Sequence, residues 1–315
     1  MHHLYAVLSL LAGAVARLRR PRWLVHLLIR TFARFYRIDT ADIGHPLPSF
    51  SSLLSFFLRA PAPSTRPIDP SPATITSPVD ASVSALGRAY NDTLVLVKGH
   101  HCTLHDLLQR DVPRYHGGAF IMLYLSPRDI HRIYAPCDAH VARCWSIPGS
   151  LFSVNPRAVQ RRPRTFVRNR RIITELAAPW GHMLMVKIGA CNVGRIVTHH
   201  PCDPQPSPPR SYQKGEELGC FELGSTVILL FEKDRATLHP DLREGMHILI
   251  GQPIATSRPP KNIGPIRPIA PTFQSARSTS KNAFCGMLTF PTCFMRFLPS
   301  FCFSSSLRLR VMSPP

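Results

Sequence analysis

A β-branched apolar run, Val227 to Phe231, opens directly on the triplet Gly224, Ser225, Thr226. Short apolar runs bounded by glycine or proline predict buried strands. The same criterion predicts strands over Thr93 to Val97, Ala119 to Leu125, Met183 to Ile188, Gly194 to Thr198, Thr226 to Phe231 and His247 to Ile250. The beginning of the chain has a different period. Trp23, Leu24, Leu27, Leu28, Phe32 and Phe35 recur at three- and four-residue steps, which predicts an amphipathic helix over Trp23 to Arg37. Such a stripe commonly packs on the protein's own core. Arg30, Arg34 and Arg37, at other positions of the helix, offer a second role, that of a helix lying in one membrane leaflet with its arginines on phosphates. The apolar run at 4 to 16 falls short of the roughly 20 residues needed to cross a bilayer. Basic residues follow it, whereas in a secretory signal they precede the apolar segment.

These patterns divide the chain. Residues 1–59 form a helical, membrane-associating region, 60–72 a proline-rich connector, 73–256 a β-rich core, and 257–315 an irregular tail with scattered cysteine and phenylalanine and no acid. The segment Pro201 to Arg210, PCDPQPSPPR, reads as a loop. A short echo, PVDASV from Pro78 and PCDAHV from Pro136, hints at two related β-units. The expected fold class is therefore α+β, with N-terminal membrane-associated helices, a β-rich core and a degenerate tail.

The net charge of +20 would ordinarily suggest nucleic acid. Its distribution argues against that partner. Seven arginines and no acid lie in residues 1–37, and eight basic residues and no acid lie in 245–315, so the middle of the chain is nearly balanced. One cluster remains there, Arg157, Arg161, Arg162, Arg164, Arg168, Arg170 and Arg171. It reads as a solvated loop and strand edge, or as a face for anionic lipid. Nine cysteines without CxxC or framework spacing argue against structural disulfides and for a reducing compartment. Two groups superficially resemble metal sites: Cys137, Asp138, His140 and Cys144, and His199, His200 and Cys202. Neither has an established ligand spacing, so both are read as loop residues and no metal is expected.

The triplet carries chemistry of its own. Glycine lets the backbone present the Gly224 carbonyl to a neighbouring hydroxyl. Attack by Ser225 Oγ converts the peptide to an ester, and elimination with hydrolysis leaves a pyruvoyl group in place of Ser225. A serine needs a base for this. By itself the triplet is better explained as the beginning of a strand.

The surroundings change that judgement. KGEELGCFELGST, at Lys214 to Thr226, resembles the self-cleavage site of the pyruvoyl-dependent phosphatidylserine decarboxylases. Blocks similar to that family follow one another in order, among them FFLR (Phe56), RPID (Arg66), SPVD (Ser77), KGHHCTL (Lys98), YLSPRDIHRIYAP (Tyr124), IPGSLFSVNP (Ile147), FVRNRRII (Phe166) and IGACNVGRI (Ile188). The resemblance runs from about Arg30 to Ala255. It implies conversion of phosphatidylserine to phosphatidylethanolamine and CO2 through a Schiff base to the pyruvoyl group. It also implies a precursor cut at Gly224–Ser225 into two chains, and peripheral attachment to a phospholipid membrane, bacterial or mitochondrial. A homodimer stays open.

The resemblance assigns Asp80 and a histidine as the relay that assists Ser225, and gives His131 a part in decarboxylation. The family pattern SPRD-x-H-x-x-H is met at Ser126, Pro127, Arg128, Asp129 and His131, but Tyr134 stands at the second histidine. Tyrosine titrates near 10, so it is a poor base at neutral pH. Ala81 replaces a glycine after Asp80, which costs strain if the position needs positive φ, and Arg170 replaces a glutamate. These departures set an alternative beside the enzyme: an uncleaved relative that only binds membrane or lipid.

Overall fold

Strand β7 (Ser225–Phe231) lies at the centre of an eight-stranded antiparallel sheet, and all seven of its residues are buried. The other members are β1 (Ala81–Arg88), β2 (Ala119–Leu125), β3 (Ala139–Ile147), β4 (Arg171–Ala178), β5 (Gly181–Gly189), β6 (Ser211–Tyr212) and β8 (His247–Ile248). Their order is β6-β3-β4-β5-β7-β2-β1-β8. The computed structural model describes residues 13–90, 92–96, 101–162, 164–190, 195–202, 209–222 and 224–258.

Side chains alternate along each strand, so β7 feeds two cores. Val227, Leu229 and Phe231 join Leu123 and Met185 on one face, while Ile228 and Leu230 join Met122 and Val186 on the other. A strand covered on both faces needs apolar residues at every position, which is why β7 reads as a run. A second, three-stranded sheet orders Ile196–Thr198, Glu217–Phe221 and Arg132–Tyr134.

Three long strands, β1, β3 and β4, were not expected from the apolar pattern. Two are interrupted by register shifts, between Val83 and Ala85 in β1 and between Val141 and Arg143 in β3, which break the two-residue alternation. The third carries buried charge at Arg171 and Glu175. The two halves of the sequence echo lead into β1 and β3, each second from an edge of the sheet. Strand Gly194–Thr198 is shorter than expected, Ile196–Thr198, with Gly194 outside the described residues. Thr93–Val95 is likewise short of Val97. The strand Pro253–Ser257 pairs with Thr74–Thr76, one residue past the expected core boundary. The remainder of the tail, from 259, lies outside the described residues, as do residues 1–12 of the early apolar run.

The amphipathic helix is α1 (Arg22–Tyr36), with one face packed on the protein and another exposed. Val25, Ile29 and Ala33 pack with Ile43, Phe50 and Phe56. Trp23, Leu27 and Phe35 stay exposed, at 68%, 53% and 76%. No helix among the described residues is long and apolar enough to cross a membrane. A short helix, α2 (Leu53–Phe57), begins at a Ser52–Ser55 capping box and buries Phe56 and Phe57.

Of the expected surface arginines, Arg171 is in fact buried. Its guanidinium donates to the carbonyls of Asp106, Leu107, Val167 and Asn169, pinning the connection before β4. Arg170 is exposed, so its charge faces solvent. Cys144 and Cys202, 58 residues apart, are joined as a disulfide, contrary to expectation. Chain spacing gave no sign of the bond because β3 and the segment after Ile196–Thr198 meet only in the folded sheet.

Candidate active site at the Gly224–Ser225 bond

Gly224 adopts φ of 50°, the left-handed region that glycine enters readily. Ser225 then begins β7, paired with Leu125 of β2 on one side and Gly189 of β5 on the other. By alternation its side chain lies on the face of Val227 and Leu229. Ser225 is fully buried, and its Oγ has no hydrogen-bond partner among the described residues. A buried hydroxyl without a partner is costly and uncommon in a finished fold. The approach to the bond is held firmly: Phe221 N donates to the His131 carbonyl at 2.9 Å, and Glu222 N to the Arg195 carbonyl at 2.9 Å. Glu222 also pairs with Arg17 at 2.6 Å.

His131 is the second buried group with an open atom. Its Nδ1 lies 2.9 Å from the carbonyl of Asp129, which accepts only, so Nδ1 carries the hydrogen and Nε2 is bare. Nε2 is buried with no partner among the described residues. The ring packs on Phe57 at 4.0 Å between centroids. Burial lowers the imidazole pKa to about 4, outweighing the opposing effects of the Asp129 carbonyl and carboxylate. At neutral pH the ring is therefore uncharged, with its free lone pair on Nε2.

Asp80 is buried just before β1, but its partner is a guanidinium rather than an imidazole. Arg66 Nε reaches both carboxylate oxygens at 3.0 and 3.1 Å, Arg66 Nη2 reaches Oδ2 at 2.8 Å, and Ile250 N donates to Oδ1 at 2.8 Å. Arg66 also spans to Asp42 at 3.1 Å. Tyr134 pairs with Glu217 in the three-stranded sheet. Burial first, then the charges of Glu217 and Asp80, raise its phenol to about 12. It keeps its proton at neutral pH. Ala81 begins β1 and is absent from the residues with positive φ, so the expected strain does not arise.

One residue of the first apparent metal cluster and two of the second come together in the fold. Cys144, His200 and Cys202 place their ligand atoms within 4.8 Å of one another. Cys144 and His140 belong to β3, which corrects their reading as loop residues, while His200 lies in a bend after Ile196–Thr198 and is buried. Both His200 imidazole nitrogens are engaged, with Thr174 Oγ1 at 2.9 Å and Tyr212 OH at 3.1 Å. Two sulfurs bonded to each other offer no thiolate to a metal.

One residue at the site escaped the sequence reading. His247, on the edge strand β8, donates from Nε2 to Asp129 Oδ1 at 2.9 Å. Asp129 Oδ2 in turn accepts from the Ser126 amide and hydroxyl, both at 2.7 Å. His247 was visible only as part of an apolar strand, and nothing local connects it to a turn 118 residues earlier.

The architecture thus holds a buried strand-end serine, preceded by a left-handed glycine, and a buried, neutral imidazole at His131, each with a polar atom left without a partner among the described residues. The family model described as phosphatidylserine decarboxylase matches residues 53–256. The phosphatidylserine decarboxylase proenzyme of Brevibacillus brevis is 38% identical over 251 residues, 74% of this chain and 88% of the relative. Its counterpart in Pasteurella multocida is 36% identical over 267 residues, 79% and 90% of the two chains. That of Anaeromyxobacter sp. is 37% identical over 264 residues, 78% and 93%. This chain belongs to the phosphatidylserine decarboxylase family.

Proposed function

We propose that the protein is a phosphatidylserine decarboxylase made as a proenzyme, which cuts its own Gly224–Ser225 bond and leaves a pyruvoyl group at Ser225. The observation that carries this reading is the pair of buried, unpartnered atoms, Ser225 Oγ and His131 Nε2. His131 Nε2 accepts the hydroxyl proton as Oγ attacks the Gly224 carbonyl carbon. The C–N bond breaks, the Ser225 amine takes a proton, and an ester remains. Loss of the Ser225 α-proton then breaks the Cβ–Oγ bond and releases Gly224 as a carboxylate. Water replaces nitrogen in the resulting dehydroalanine, ammonia leaves, and the pyruvoyl group blocks the new N-terminus. That group supplies an electron-withdrawing carbonyl for loss of CO2 from the substrate amino acid. His131, neutral and fixed in one tautomer, is suited to hold or return a proton at Nε2 in both stages. Asp80 acts through Arg66, as an ion pair supporting the site. An uncleaved, purely lipid-binding relative is not favoured, since Tyr134 need not be the base if His131 is.

Mass spectrometry of the expressed protein tests the claim. Two fragments of 224 and 91 residues (315 minus 224), the second pyruvoyl-blocked, are expected. A single intact chain overturns it.

The exposed face of α1 supports attachment to anionic phospholipid. Trp23, Leu27 and Phe35 present apolar area beside Arg30 and Arg34, the composition of an interfacial helix. In this arrangement residues 1–59 hold the 73–256 core at the surface where its substrate resides, and the tail beyond it is dispensable. Sedimentation with anionic liposomes tests the attachment, and a protein that stays in the supernatant refutes it.

A further inference from the structure

The segment His247–Ile250, downstream of the cleavage bond, reaches back to both acids of the site. Ile250 N donates to Asp80 Oδ1 at 2.8 Å, and His247 Nε2 donates to Asp129 Oδ1 at 2.9 Å. The second contact falls on the turn that carries His131. This turn, Ser126–Asp129, closes with Asp129 N donating to the Ser126 carbonyl at 2.9 Å. The Asp129 carboxylate holds it from inside through the Ser126 amide and hydroxyl. The Asp129 carbonyl, on the same residue, is what fixes the His131 ring through Nδ1. Burial pushes the Asp129 carboxyl up, but the hydrogen bonds from His247 and Ser126 outweigh it and hold the group below its ordinary value. Asp129 is therefore an ionised acceptor, and His247 must be the donor.

We infer that His247 is a positioning residue for His131, acting through Asp129 to set the carbonyl that keeps the imidazole in its Nδ1–H tautomer. The contact also acquires a second meaning if the bond is cut. Asp129 and His131 then belong to the upstream chain and His247 to the downstream one, so the alignment of the base depends on the two chains staying together. Outer partners that orient metal-ligating imidazoles change activity by about 10- to 100-fold when removed; His247 reaches the ring only through Asp129, so the lower end of that range applies. The inference rests on the proposed function for its consequence in catalysis, but its structural core concerns the His131 tautomer alone.

Two variants test it, His247→Ala and His247→Gln, the latter retaining an N–H donor for Asp129. In the processed enzyme, His247→Ala is expected to lower kcat about tenfold, with KM for phosphatidylserine in mixed vesicles changed less than the rate. His247→Gln should recover most of the loss. Equal impairment of both variants, or an unaffected His247→Ala enzyme, overturns the inference. Should neither wild type nor variant be cleaved or active, it is the functional reading that fails. The inference is then read in the intact chain from the 15N shifts of the His131 ring. A pure Nδ1–H tautomer in wild type that becomes mixed in His247→Ala supports it, and an unchanged tautomer overturns it.

Discussion

Replacing His131 by asparagine removes the proposed base, and in a chain that cannot be cleaved it isolates the electrostatics of that buried position. In the fold the imidazole is fully buried and its pKa lies at about 4, against an ordinary value near 6.5 in the unfolded chain. Between these values the unfolded state binds a proton that the folded state refuses. Stability therefore rises with pH across this window: the contribution is complete above about 6.5 and is lost as pH falls toward 4. A difference of about 2.5 units at 1.36 kcal/mol each amounts to about 3 kcal/mol. No screening discount applies to a group without solvent contact. Asparagine does not titrate, yet its amide can still donate to the Asp129 carbonyl. Urea unfolding of both proteins in a Ser225→Ala background, where no cleavage intervenes, isolates the term. Wild type should lose about 3 kcal/mol more than His131→Asn between pH 7 and pH 4. Other titrating groups, His200 among them, act equally in both and cancel. A gap that stays constant with pH would refute the placement of His131 as a neutral buried base. The same pKa predicts that self-cleavage of wild type is independent of pH above about 5 and slows tenfold per unit below 4; an inflection near 6.5 would point to an ordinary exposed histidine instead.

Asp80→Asn breaks a buried ion pair while leaving Arg66 almost covered and paired only with the more exposed Asp42, so chemical denaturation should show a loss near the lower end of about 3–5 kcal/mol even in a chain that is never cleaved. A loss below 1 kcal/mol would mean the Arg66 contact is not holding the site. Tyr134→His adds a second imidazole beside Asp80, and time-resolved gel analysis of nascent precursor should show faster cleavage; an unchanged rate would leave His131 as the sufficient base. Trp23→Ser combined with Phe35→Ser should reduce vesicle binding by about tenfold or more, since each ring contributes roughly 1–2 kcal/mol of apolar burial, with no loss of processing in detergent. Ending the chain after Arg258 should leave processing intact, whereas ending it after Ala255 removes two residues paired or bonded to Ala73 and Thr74 and should lower the unfolding midpoint.

Much of the site was legible because its pieces are local. Gly224, Ser225 and the run behind them required only adjacent residues, and the SPRD-x-H block placed His131 beside its turn. Other features followed no local rule. Asp80 follows Pro78 by two residues and looks like part of a relay, yet its partners are Arg66, 14 residues earlier, and Ile250, 170 residues later. The strands β1 and β3 were hidden by bulges, and β4 by charges whose burial is tolerated only because Arg171 finds four carbonyls and Glu175 finds Arg143 and Tyr115. The disulfide was hidden in the same way, by a separation that only the sheet closes.

The sequence by itself determined the family, the proposed cleavage bond and the amphipathic helix, because each depends on residues within a few positions of one another. Only the tertiary structure decided the burial and the hydrogen-bond partners of Ser225, His131 and Asp80. Whether a histidine is charged, which of its nitrogens is bare and what holds its ring depend on burial and on hydrogen bonds from distant strands. These are consequences of packing, and they leave Ser225 a buried strand-end hydroxyl without a partner and His131 a neutral, buried imidazole with a bare Nε2.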